Sequence, residues 1–250
     1  MNKKIVKEYL VITFAIMILS WGVCAFISQS FNLTLSNIFL KILYAIGGFS
    51  PTIASYISLK RNNMVKGFRE WLKKIFDVKH SIWTYALVVL FMAVYYVLGC
   101  TINEFEFGAP IFMLIIIVPI MLFGGGNEEA GWRMILQPEL EKKYNFHVST
   151  IMTAIIWWIW HLPLFFIQGT PQISMNYFLF GIMCLTMSYS LATVRSISKG
   201  VFPCVLIHCL INGLSAVFVF DLSLTSSIVT LIVTIVLSMV ILKINKKYAK

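Results

Sequence analysis

Long apolar runs separated by short polar intervals dominate this 250-residue chain. A helix needs about 20 mostly apolar residues to cross the hydrocarbon of a bilayer. Eight segments reach or approach that length: 9–28, 37–59, 82–101, 109–128, 149–168, 173–194, 201–220 and 224–243. The pattern predicts an all-α fold, a polytopic membrane helix bundle of about eight transmembrane helices. No internal repeat, low-complexity tract or soluble insertion interrupts it, so 1–250 reads as a single integral-membrane domain. The N-terminal 30 residues have the charged and apolar regions of a signal peptide, with Ser28 and Ser30 as a weak cleavage pattern. The apolar run Leu10–Ile27 is long enough to span, however, and is expected to remain as the first helix.

One polar-rich interval behaves differently. In residues 62–79, Met64, Val65, Phe68, Trp71, Leu72, Ile75 and Phe76 recur at helical spacing, with Lys66, Arg69, Lys73 and Lys74 elsewhere. This predicts an interfacial amphipathic helix against anionic lipid head groups, with a loop helix packed on the bundle as the alternative.

Composition sharpens the class. Hydrophobic residues are 59% and charged ones 12%, against roughly 25% charged in a soluble domain. The net charge of +10 would suit nucleic acid, but the positions of the basic residues argue otherwise. With a cytoplasmic N-terminus, every Lys and Arg except Lys41 falls on the inner side, from Lys3 to Lys243, Lys246, Lys247 and Lys250. Glu104, Glu106 and Asp221 fall outside. This alternation predicts that both termini are cytoplasmic and accounts for the charge without nucleic acid. The expected location is a bacterial plasma membrane, from the Lys-, Ile- and Asn-rich composition. Cys24, Cys100, Cys184, Cys204 and Cys209 are odd in number and lie in or beside apolar runs, so they read as small buried residues.

Ionisable groups inside a membrane are costly and are functional candidates by default. The spans contain His161, in IIWWIWHLPLFF, and His208, four residues before Asn212 in PCVLIHCLINGL. The fourth run reaches Glu128 and Glu129 at its inner edge, in GGGNEEAGWR. That stretch also reads as a helix start: glycines break one helix, Asn127 caps the next, and Glu129 pairs with Arg133. Either histidine alone reads equally well as a hydrogen-bonding residue between helices. Counting rise along each helix from the cytoplasmic side, all these groups are expected to meet in the inner half of the bundle.

EEAGWR (Glu128–Arg133), WWIWH (Trp157–His161) and HCLIN (His208–Asn212) occur in the order EExxxR, aromatic-xxx-His and HxxxN. In this the chain resembles the CAAX-protease and bacteriocin-processing (CPBP, or Abi) family of intramembrane endopeptidases. The resemblance lies in residues 109–220. Met134 stands where many relatives have glycine, a change expected to affect local packing only. The resemblance implies cleavage of a membrane-associated protein or peptide, with Glu128 as the base and His161 holding the attacking water. It further implies that His208 and Asn212 polarise the carbonyl, with Glu129 positioning Glu128 and Arg133 holding Glu129. A metal version is also open: Glu128, His161 and His208 make a His2Glu set of the kind that binds zinc, although no HExxH is present. A non-proteolytic immunity or regulatory protein on the same scaffold is a second reading. A transporter is a third, disfavoured by the lack of paired repeats. A peptide pheromone, a bacteriocin leader or a membrane-protein segment is the expected substrate.

Overall fold

Apolar helices at this composition bury only the face that meets another helix. Helix α1 (Lys3–Phe31) buries Ile5, Tyr9, Thr13 and Met17, one residue per turn, and leaves Val11, Ile18, Leu19 and Phe26 exposed. In a bilayer those exposed side chains face lipid at no cost. The computed structural model describes residues 1–248. Lys250, assigned to the inner side above, lies outside the described residues, as do the side chains of Lys246 and Lys247.

The next two helices, α2 (Ile38–Gly48) and α3 (Ser50–Arg61), are bent by 45° at Phe49. The bend follows from Pro51 in the first turn of α3, which has no N–H to continue the ladder. Ser50, Ala54 and Ser58 form a stripe of buried small residues on α3, and α3 packs on α1 along its length. Small side chains let helix backbones approach closely where lipid supplies no hydrophobic drive.

Helix α4 (Phe68–Ile75) is shorter than the expected 62–79 because the chain turns at both ends. It does pack on the bundle: Trp71 and Ile75 are buried, and the Trp71 indole donates to Ser55 Oγ at 3.1 Å. Phe68, Phe76 and Met64 remain exposed beside the basic residues. Helix α5 (Ile82–Ile102) follows. Strand β1 (Glu106–Phe107) then pairs antiparallel with β2 (Phe218–Val219), Phe107 opposite Phe218.

Two of the expected spans prove short. Helix α6 (Ile111–Ile120) and helix α10 (Phe202–Leu214) have lengths of roughly 15 and 20 Å at 1.5 Å per residue, well under the ~30 Å hydrocarbon layer. Five helices are long and apolar enough to cross, or six if the bent pair α2–α3 counts as one span, in place of the eight expected. The glycine run 124–126 ends the fourth apolar segment early, and a helical stretch over 126–141 (α7) begins there with a turn of 3₁₀ helix and contains a π-helical segment, Trp132–Leu136. Met134 is part of this segment, half-buried against the core.

Helix α8 (Phe146–Phe166), helix α9 (Tyr177–Ser198) and helix α11 (Leu224–Tyr248) complete the bundle. Helix α9 is central: every residue from Thr186 to Val194 is buried, and α5, α8, α10 and α11 surround it. The protein is thus a nearly all-α integral membrane protein whose short helices bring polar groups into its interior.

Candidate active site

Glu128 ends the 3₁₀ turn Gly126–Glu128, and its side chain is buried. Its Oε2 accepts the indole N–H of Trp157 at 2.7 Å and lies 3.4 Å from that of Trp132. Its Oε1 has no protein partner among the described residues, and Glu128 lines a cavity of about 290 Å³. Asn127 does not cap the helix: no side-chain bond caps this turn, and both ends of its buried amide lack partners.

Glu129 points the other way. It is fully buried and does not line the cavity. Its Oε2 accepts from Arg133 Nε at 3.1 Å, and its Oε1 lies 2.8 Å from His208 Nδ1. The expected Glu129–Arg133 pair is therefore present, as a fully buried ion pair and not an ordinary surface one. Arg133 also donates to Gln137 Oε1 at 3.3 Å and to Ser188 Oγ of α9 at 3.1 Å, which ties α7 to the central helix.

His161 closes the regular part of α8. Its Nδ1 is 2.8 Å from the Trp157 carbonyl. A carbonyl only accepts, so Nδ1 carries the hydrogen and Nε2 of the neutral ring holds the lone pair. Trp160, also on α8, donates to Ser50 at the bend of α3 at 3.0 Å, and Trp21 packs on Trp160 with the rings tilted by 45° and centroids 4.3 Å apart. Trp21 lies so close to Gly47 that a Cβ there would be 2.3 Å from its ring. Its indole donates to the Tyr44 carbonyl at 2.7 Å.

His208 and Asn212 stand one turn apart on α10, and Asn212 Nδ2 donates to the Gly124 carbonyl at 3.0 Å. Their polar atoms converge on Gly125. A Cβ there would lie 2.5 Å from Asn212 Nδ2 and 2.7 Å from His208 Nε2, and the backbone has φ +145°, a conformation open only to glycine at low cost. Gly125→Ala is therefore expected to push both side chains aside and to loosen the packing of α10 on the glycine run, read as a lower melting temperature in detergent. A variant that melts with the wild type would refute this.

Glu128, His161, His208 and Asn212 share the one cavity, with Trp21, Tyr44, Phe49, Phe123, Phe180 and Gln172 in its walls. Glu129 and Arg133 lie behind it. The three residues of the expected zinc set share this cavity, but among the described residues no group of three or more His, Cys, Asp or Glu is arranged to hold a metal ion. The contribution of Trp157 and Trp132 was not foreseen, although Trp157 occupies the aromatic position of its motif. An aromatic position reads as packing, and only the fold shows its N–H directed at Glu128.

All six motif residues lie within residues 86–214, which match the family described as type II CAAX prenyl endopeptidase Rce1-like. That is more than half of the chain. The chain belongs to the Rce1-like family. Among curated proteins, the CAAX prenyl protease 2 of Methanococcus maripaludis is 28% identical over 180 residues, covering 66% of this chain and 65% of that protein. The match thus spans less than two thirds of the relative's length. In this Rce1-like chain, the cavity walls formed by Trp21, Tyr44 and Phe49 come from outside the family-matched residues.

Proposed function

We propose that this Rce1-like protein is an intramembrane endopeptidase that cleaves a membrane-associated protein or peptide. The observation that carries this reading is the shared cavity, in which the unpartnered Oε1 of Glu128 and the lone-pair nitrogen of His161 face the same space as His208 and Asn212. Glu128 removes a proton from a water that His161 Nε2 holds, and the water attacks the scissile carbonyl. The carbonyl oxygen becomes an oxyanion, which His208 Nε2–H and Asn212 Nδ2–H stabilise. The tetrahedral intermediate then collapses, and the proton on Glu128 passes to the leaving amine.

For Nε2 to donate, His208 must be doubly protonated, since Nδ1–H is committed to Glu129. Glu128, Glu129, Arg133 and His208 then form a neutral buried quartet, two charges of each sign, as a low-dielectric interior requires. In this reading no step passes through a metal. Dialysis against a strong chelator is expected to leave turnover unchanged, and loss of activity restored by zinc would sink the metal-free route.

The cavity's apolar walls favour an apolar chain next to the scissile bond, in line with the relative's name, CAAX prenyl protease 2. Comparing membrane and secreted peptides between wild type and Glu128→Ala cells tests the reading: uncleaved precursors are expected in the variant alone, and identical profiles would overturn it.

We further propose that both termini are cytoplasmic and that α4 lies at the inner leaflet of a bacterial plasma membrane. There its exposed Phe68, Phe76 and Met64 enter the interface and Lys66, Arg69, Lys73 and Lys74 meet anionic head groups. At about 1 kcal/mol per basic residue, replacing the four with Gln is expected to abolish any preference of the purified protein for phosphatidylglycerol over phosphatidylcholine in native mass spectra. An unchanged lipid preference would count against this assignment.

A further inference from the structure

The carboxylate that serves as base has two oxygens, and one of them is already occupied. Trp157 Nε1–H donates to Glu128 Oε2 at 2.7 Å, a short bond of the kind made to a charged acceptor. Trp132 adds a longer contact of 3.4 Å to the same oxygen. Both indoles are held firmly. Trp132 is fully buried, edge-on to Tyr9 at 5.7 Å and to Trp160 at 5.8 Å. Trp157 is buried with its ring edge-on to His161 at 5.3 Å and to His208 at 5.4 Å. Its backbone carbonyl also takes the Nδ1–H of His161.

One residue therefore touches each of three groups assigned to the reaction: Glu128 through its indole N–H, His161 through its carbonyl and ring, and His208 through its ring. We propose that Trp157 is a positioning residue that fixes Glu128 with Oε1 toward the cavity and sets its orientation relative to His161. The proposal rests on the reading of Glu128 as base. A carboxylate held only by packing would rotate about its last torsion, which has a broad energy profile, and would present either oxygen. Donation to Oε2 alone removes that freedom and leaves one oxygen for water. The aromatic-xxx-His pattern needs only a ring, so the N–H is a feature of tryptophan at this position.

Trp157→Phe separates the two contributions, because it keeps ring contacts with both histidines and removes only the donor. The loss of a hydrogen bond to a charged acceptor is expected to lower kcat by about 10- to 100-fold with KM little changed. It is also expected to move the acid limb of the pH–rate profile upward, since a carboxylate without its donor holds a proton more readily. Trp132→Phe, which removes only the longer contact, serves as the control with a smaller effect. Unchanged kcat and an unchanged acid limb in Trp157→Phe would overturn the proposal.

A spectroscopic measurement covers the case in which Trp157→Phe fails to fold. The chain has seven tryptophans, and the indole N–H resonance of Trp157 is expected far downfield in the ¹⁵N-labelled wild type and to move upfield in Glu128→Ala. If no indole resonance moves, the bond is absent and the proposal fails whatever the activity. If the resonance moves while Glu128→Ala still cleaves substrate, the base assignment fails and the bond stands.

Discussion

Glu128→Gln is expected to lower hydrolysis by at least about 10²–10⁴-fold, the range for loss of a general base, while the protein keeps its fold and its cavity. Glutamine preserves the shape of the side chain and its carbonyl oxygen still accepts the Trp157 N–H, so the packing around Oε2 is retained. On the proposed reading, what disappears is the capacity of Oε1 to take a proton from water. The adjacent acid provides the contrast. Glu129 is buried behind the cavity between Arg133 and His208, so Glu129→Gln is expected to act indirectly, by leaving Arg133 short of its counter-charge and His208 without its orienting acceptor. Its variant should lose stability as well as activity, whereas Glu128→Gln should lose activity alone. Purified proteins in detergent, compared for turnover of a fluorogenic peptide and for melting temperature, give both readings. A Glu128→Gln enzyme that retains a tenth or more of wild-type turnover would remove Glu128 as base.

Arg133→Met is expected to carry the largest stability cost in the molecule, about 3–5 kcal/mol, because it leaves Glu129 buried without its strong ion-pair partner. Neither side chain has measurable exposure, so water cannot compensate. Arg133 further loses its bonds to Gln137 and Ser188, and the second of these joins α7 to α9. At the usual sensitivity of a protein of this size, the melting temperature falls by roughly 6–20 °C. The double variant Arg133→Met/Glu129→Gln should recover part of the loss, since it removes both buried charges together; the coupling is read from a double-mutant cycle in detergent. A single variant that melts within a degree of wild type would show that the pair contributes nothing net.

The residues that make these predictions differ in how readable they were. Glu128, His161 and His208 announced themselves because an ionisable group in an apolar run is too costly to be incidental. Helix rise gave their convergence only to within several residues: Glu128 begins α7, His161 closes the regular part of α8 and His208 lies midway along α10, and the packing of these helices sets them around one cavity. Trp157 is marked in the sequence only as an aromatic position: nothing in spacing tells an indole that fills space from one that donates to a carboxylate. Gly125 was one of three glycines in a row, and only the packing of α10 against it shows that His208 Nε2 and Asn212 Nδ2 occupy the space a side chain would need. The division between Glu128 and Glu129 was implied by the family resemblance and not by spacing, because adjacent residues on a tight helical turn point in different directions and burial decides which of them meets the cavity.

Hydropathy by itself determined the environment, because the transfer energy of each apolar run is a local property summed over its own residues. The identity of the polar groups within those runs was determined in the same way. Only the tertiary structure decided that α6 and α10 are short, that α2 and α3 bend apart at Phe49, and that Trp21 and Tyr44, from outside the family-matched residues, wall the cavity. It also decided which carboxylate oxygen is free. These depend on the packing of one helix against another and on where each buried polar atom finds a partner, and neither is a property of any single segment.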